Sequence, residues 1–166
     1  MARITVNTTG TSPTLLISTD LANGNVANGT IVESLSVTCL QDVTVTNSTG
    51  IFSWTDFCSG DTNKVTTPAD NEIATNIVID DEGFFGNSGA SANSASNLGV
   101  AGLSSDKVRV QWKLILNGGA NTANAYWYGG QGYISSVAPT VSPDAPVWVS
   151  PMSIAVDGSM ETGQNS

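Results

Sequence analysis

The 166-residue sequence contains no histidine and two cysteines, and five lysines and arginines stand against 14 acidic residues. Without histidine there is no Ser-His-Asp or Cys-His nucleophile system, no imidazole metal site, and no general base that ordinarily titrates near neutrality. Cys39 and Cys58 have no basic neighbour in sequence to favour a thiolate, and two cysteines alone make a poor zinc site. They read as small buried hydrophobes, with a disulfide between them left open. The net charge of −9 lacks the clustered Lys/Arg that neutralise phosphates, which argues against nucleic-acid binding and suits a soluble surface that repels it. A GxxxxGK[ST] phosphate loop is absent. The cluster Gly129-Gly130-Gln131-Gly132 leads into a strand-like run, where phosphate binding would want a helix N-terminus. No segment approaches the roughly 20 apolar residues that cross a bilayer. The opening MARITVNTTG lacks the apolar core of a signal peptide, so the expectation is a protein without a membrane anchor that stays in the cytoplasm where it is made.

Only 11% of the residues are charged, and Thr, Ser, Asn and Gly make up the balance, as in β-rich folds with many polar turns. Short alternating runs recur along the chain. Residues 3–8 and 14–18 read as strands, two Asn-Gly pairs between 20 and 30 mark a turn, and strands follow near 34–40 and 41–47. Residues 71–79 place Ile73, Ile77 and Ile79 on one parity. Three aromatics, Phe52, Trp54 and Phe57, crowd the next-door segment 51–64; residue type favours core packing, with a subunit interface or a clamping loop as alternatives.

The organising stretch is 106–158. DKVRVQWKLILNGG sets Val108, Val110, Trp112, Leu114 and Leu116 against Arg109, Gln111 and Lys113, predicting a half-buried strand with one wet face. NAYWYGGQGYISSVAP carries a second strand whose glycines suggest a bulge, and DAPVWVSPMSIAVDG a third. Together they predict an antiparallel meander. The acids Asp80, Asp81 and Glu82 form the densest carboxylate cluster and Asp56 with Asp61 a second; neighbouring acids on a strand end point to opposite faces, so a solvated end or a cap is favoured over a joint site. No catalytic, cofactor or metal residues are assigned, and the chain reads as a non-enzyme. Residues 83–105 form a long loop in which 94–103 can make a short helix, weakened by Gly99 and Gly102.

The ordered set VxVxW, YxGxGYISSV and MSIAVDG resembles the C-terminal half of siphophage-type tail tube (major tail) proteins, and WTDFCSGD followed by NEIATNIVIDDEGFFG resembles their middle. The likeness spans roughly 31–158. It implies an all-β, two-sheet antiparallel sandwich with a long loop and one short flanking helix. It further implies hexameric rings whose sheets join into a barrel, stacked head to tail as a virion structural protein that conducts the genome during ejection. On that reading residues 1–158 are one domain, 1–10 a possible arm and 159–166 a polar tail. Partners implied are other copies of the chain, a tape-measure protein and a tail terminator; double-stranded DNA would pass without specific binding, and assembly would take place in the host cytoplasm. Glu33, Asp42, Glu72 and Asp144 are expected to face the lumen, and Phe84, Phe85, Leu98 and Leu103 to sit at interfaces. The rival reading is a surface or capsid-decoration β-sandwich that binds glycans or a virion partner, suggested by Tyr126, Trp127, Tyr128 and Tyr133 and by sequons at Asn7, Asn28 and Asn47.

Overall fold

The computed structural model describes residues 13–22, 31–55, 61–68, 70–118, 123–144 and 147–165. The expected strand at 3–8, Cys58, Asp56 and Phe57 lie outside them. Among the described residues nine strands and two short helices follow in the order β1 (Thr14–Ser18), β2 (Leu35–Val37), β3 (Val43–Thr46), β4 (Gly50–Thr55), β5 (Thr62–Thr67), β6 (Glu72–Val78), α1 (Asp81–Phe85), α2 (Ala95–Ser105), β7 (Arg109–Ile115), β8 (Tyr126–Val137) and β9 (Val149–Gln164). The fold is mainly β and antiparallel, as expected: one seven-stranded sheet in the order β2-β1-β7-β8-β9-β6-β3, and a separate β4-β5 hairpin.

Chain length makes the large sheet curl. Strands β2 and β3 are its two edges, yet only residues 38–42 connect them. Laid flat, six inter-strand gaps of about 4.8 Å would hold the edges about 29 Å apart. From Val37 to Val43 the backbone reaches at most about 21 Å. The sheet therefore wraps until its edges approach, giving a sandwich whose opposed faces belong to one hydrogen-bonded surface. Inside it lies a single core built from Leu15, Ile17, Ile73, Ile77, Trp112, Leu114, Met152 and Ile154, with Phe84, Val100 and Leu103 from the helices.

The β7-β8-β9 meander is present, and the glycine-rich stretch of β8 carries the expected irregularity. Pairing shifts register between Gly129 and Gln131, where two steps on β8 match four on β9 (Glu161 to Asp157), and again between Ile134 and Ser136. Trp112 packs over Gly130 on the inner face, since a side chain there would begin 3.1 Å from its ring. Such glycines in strands mark close approach rather than chain ends.

Three expectations change. The second face of β7 is not wet: Gln111 is 1% and Lys113 4% exposed, because Leu16, Ile115, Ala125 and Trp127 form a smaller apolar cluster on that side. Cover of that second face comes from residues distant in sequence, Leu16 and Trp127, which alternation within β7 alone does not reveal. Residues 159–164 are not a free tail but the end of β9, paired with Tyr126–Gly129 of β8; backbone hydrogen bonding, blind to side-chain polarity, extends the strand. Within the long loop there are two helices rather than one. Asp80 caps α1, accepting from Gly83 N at 2.6 Å and Phe84 N at 3.1 Å, which accounts for the first of the three adjacent acids. Ser94 caps α2 by accepting from Asn97 N at 3.2 Å.

Candidate assembly surfaces

Strand pairing sorts the outer face of the sheet into rows. One row runs Arg109, Tyr133, Ala155, Glu72, Thr46 across five strands, and beside it Ser18, Gln111, Gln131 and Asp157 align. The first row is exposed along its length and makes a polar surface low in charge, whereas Ser18 and Gln111 in the second are buried. Its Arg109 is paired with Asp157 at 2.8 Å, both about half exposed, so the pair adds little stability but cancels the charge. Glu72 stands in this surface and Asp42 precedes the neighbouring edge strand β3, whose backbone meets Asn76. Glu33 lies in the loop before β2, on the opposite edge, with φ 48°, and Asp144 lies in the connection from β8 to β9. The four expected lumen acids are therefore not brought together within one chain.

The expected interface set divides as well. Phe84 and Leu103 are buried in the core of the subunit, at 4% and 0% exposure, and are not available to a neighbour. Phe85 is exposed and stacks edge-on against Phe84, while Leu98 is half-buried. Cys39, expected to be buried, is exposed and free, at a left-handed residue with φ 58° just past β2.

The larger apolar surface is elsewhere. On the β4-β5 hairpin Ile51 is 62%, Phe52 57% and Trp54 46% exposed, contradicting the core expectation for these aromatics. Register places Phe52 opposite Val65, so Phe52, Trp54 and Val65 share one face; the Phe52 and Trp54 rings stack at 6.0 Å. Sequence composition flagged the aromatics but carried no sign that both strands stand clear of the core. The only available hint was the polarity of TNKVTT, too hydrophilic to bury either face.

A second surface lies where β8 meets the end of β9. There a cavity of about 400 Å³ is lined by Leu116, Tyr126, Trp127, Tyr128, Thr162 and Gly163. Beside it the Lys113 ammonium donates to Asn165 Oδ1 at 2.8 Å and lies 5.1 Å from the centre of the Trp127 ring. Burial pulls the Lys113 ammonium below the ordinary lysine range. Lys113, Gly129 and Glu161 stand in one row, with Glu161 Oε2 buried and lacking a hydrogen-bond partner. Among the described residues no three His, Cys, Asp or Glu side chains are grouped to hold a metal.

Comparison by sequence finds no matching family model and no matching curated protein. Comparison by structure does find likeness. Over 97% of this chain and 98% of the other, the fold matches the sheath/tube terminator of an extracellular contractile injection system, PVC, in its extended state, with TM-score 0.54 and 11% identity. Over 99% of this chain and 94% of the other, it matches the tube-terminating cap of the anti-feeding prophage, with TM-score 0.51 and 10% identity. At these identities the shared property is the fold. It extends end to end in both cases, hairpin and helices included in the span.

Proposed function

We propose that this chain is a structural subunit of a phage-tail-like tube assembly, acting as a ring that ends or continues the tube. The observation that carries the reading is the end-to-end likeness of fold to two tube-terminating proteins, each of nearly the same extent as this chain. The chemistry agrees: the hairpin face is apolar, the exposed row of the sheet is polar with few charges, and the absence of histidine removes the histidine-based catalytic systems. In this reading six copies close a ring, other tail proteins bind its faces, and the particle is a virion or a tail-like relative of one.

The finer assignment is a terminating ring rather than the repeating tube subunit. A repeating subunit needs a stacking contact that propagates without closing, whereas a terminator makes one closed ring and stops. The polar outer face with Glu72 and Tyr133 would line the channel. Of its two cations among the described residues, Arg109 is neutralised by Asp157 and Lys113 is buried, so a polyanion or charged cargo would slide past without being held. Tape-measure and tube proteins are the partners this reading implies. Negative-stain electron microscopy separates the possibilities: single six-fold rings support a terminator, long tubes a tube subunit, and neither the rival decoration module.

A further inference from the structure

Strand β9 is sixteen residues long, but β6 covers only its first part, from Val149 to Ala155. Beyond Val156, whose N–H reaches the Asn71 carbonyl at 2.9 Å, the outer edge of residues 157–164 has no strand partner among the described residues. An open edge of that length is a template for another strand. The same molecule carries a hairpin whose two six-residue strands pair, among the described residues, only with each other. A lone two-stranded hairpin is marginal in water, so its amphipathic faces call for a partner.

We propose that the β5 edge of the hairpin in one copy adds to the open β9 edge of a second copy, joining the two sheets. This deepens the reading under Proposed function by naming the contact that would close the ring. Charge and shape support the choice of occupant. Among the described residues the hairpin strands carry Lys64 and no acid, and Lys64 has no ion-pair partner. The open edge carries no base and two acids, Glu161 and the Asp157 already paired with Arg109. Glu161 Oε2 is covered without a hydrogen bond, and turning toward an added lysine relieves that cost.

Side-chain alternation then makes an independent check. If Lys64 stands beside Glu161, Val65 and the cross-strand Phe52 must lie on the opposite face. On that face β9 presents Met160 and Thr162, next to the cavity lined by Leu116 and Tyr128. One register therefore pairs the charges on one side and brings the Phe52 and Trp54 rings to the apolar cavity on the other. A copy's own hairpin does not take this position: Pro68 breaks the run from β5 into β6 and supplies no N–H to continue the ladder along β9.

The test uses the full chain with Cys39→Ser and Cys58→Ser. One preparation carries Lys64→Cys and another, of different mass, Glu161→Cys; they are mixed, oxidised and separated without reductant. Directly opposed residues on adjacent strands lie within disulfide reach. A mixed disulfide between the two masses is expected in most of the assembled fraction. Lys64→Glu should raise the concentration needed for assembly at least about tenfold, equivalent to about 1.4 kcal/mol, and adding Glu161→Lys should restore it. Circular dichroism confirms that each variant folds. Assemblies that form in microscopy yet give no mixed disulfide, or a double-cysteine chain that links only within itself, overturn this contact and leave the tail reading standing. A parent chain that stays monomeric at every concentration overturns both.

Discussion

Two glycines three residues apart in α2 should respond oppositely to the same substitution. Gly99 kinks the helix, with φ 65° and ψ 174°, a region that side-chain-bearing residues scarcely enter. A β-carbon there would lie 2.6 Å from the Phe84 carbonyl oxygen and 2.7 Å from the Phe85 carbonyl carbon, backbone atoms that cannot rotate away. This is where α2 presses against α1, a contact also held by Asn87 N donating to Ser96 O at 2.8 Å. The backbone conformation costs about 1–3 kcal/mol, and forcing the helices apart about 1–3 kcal/mol more. Gly99→Ala should therefore lose about 2–6 kcal/mol, a fall in Tm of at least about 4 °C for a chain of this size. Gly102 is helical and meets only Leu98, 3.2 Å from its β-carbon and half-buried. Gly102→Ala gains up to about 1 kcal/mol of helix propensity, offset by that crowding, and should stay within about 1 kcal/mol of the parent. Urea titration with equal m-values measures both. If Gly99→Ala proves no worse than Gly102→Ala, the kinked packing of α2 on α1 is wrong.

Other consequences follow from the same contacts. Asp80→Ala removes the acceptor for two backbone N–H groups of α1 and should cost about 0.5–2 kcal/mol in urea unfolding, with Asp80→Asn recovering most of it. Phe52→Ser with Trp54→Ser touches no core contact, so the unfolding free energy of dilute monomer from urea titration should move by no more than about 0.5 kcal/mol while light scattering shows assembly lost. For Lys113 the folded-state pKa lies below its ordinary 10.5 because of burial. Between those values the unfolded chain binds more protons, so stability rises with pH there, and the penalty for burying the charge is fully present below the folded value. The difference in Tm between Lys113→Met and the parent should accordingly drift in the parent's favour as pH rises toward 10.5. A difference that stays flat across that window shows that burial does not destabilise the charged lysine.

Much of the sheet was legible because alternation reports directly on faces. Ile73 and Ile77, Met152 and Ile154, and Val110, Trp112 and Leu114 all point inward as their parity requires. The β8 irregularity was legible for a different reason: glycines such as Gly129, Gly130 and Gly132 inside a strand mark a bulge or a close approach. What alternation misses is tertiary cover. Lys113 and Gln111 look wet because their residue types are polar, but Trp127 and Ile115 from the same sheet close over that face. Phe52 and Trp54 look like core because aromatics usually are, whereas Pro68 and the polar β5 hold their hairpin away from it. The end of β9 looked like a tail since its Ser, Thr, Gly and Gln carry no hydrophobic period, and its order comes from the β8 backbone. The acids expected along a lumen fall on separate elements, Glu33 and Asp42 beside opposite edge strands, Glu72 on β6 and Asp144 in the β8–β9 connection, which local sequence does not encode. Whether copies bring them together is a property of the ring.

The most direct measurement is negative-stain electron microscopy of the purified protein across a concentration series. The account predicts discrete rings with a central hole and six-fold symmetry that do not grow into long tubes. A uniform monomer at the highest concentration would contradict it.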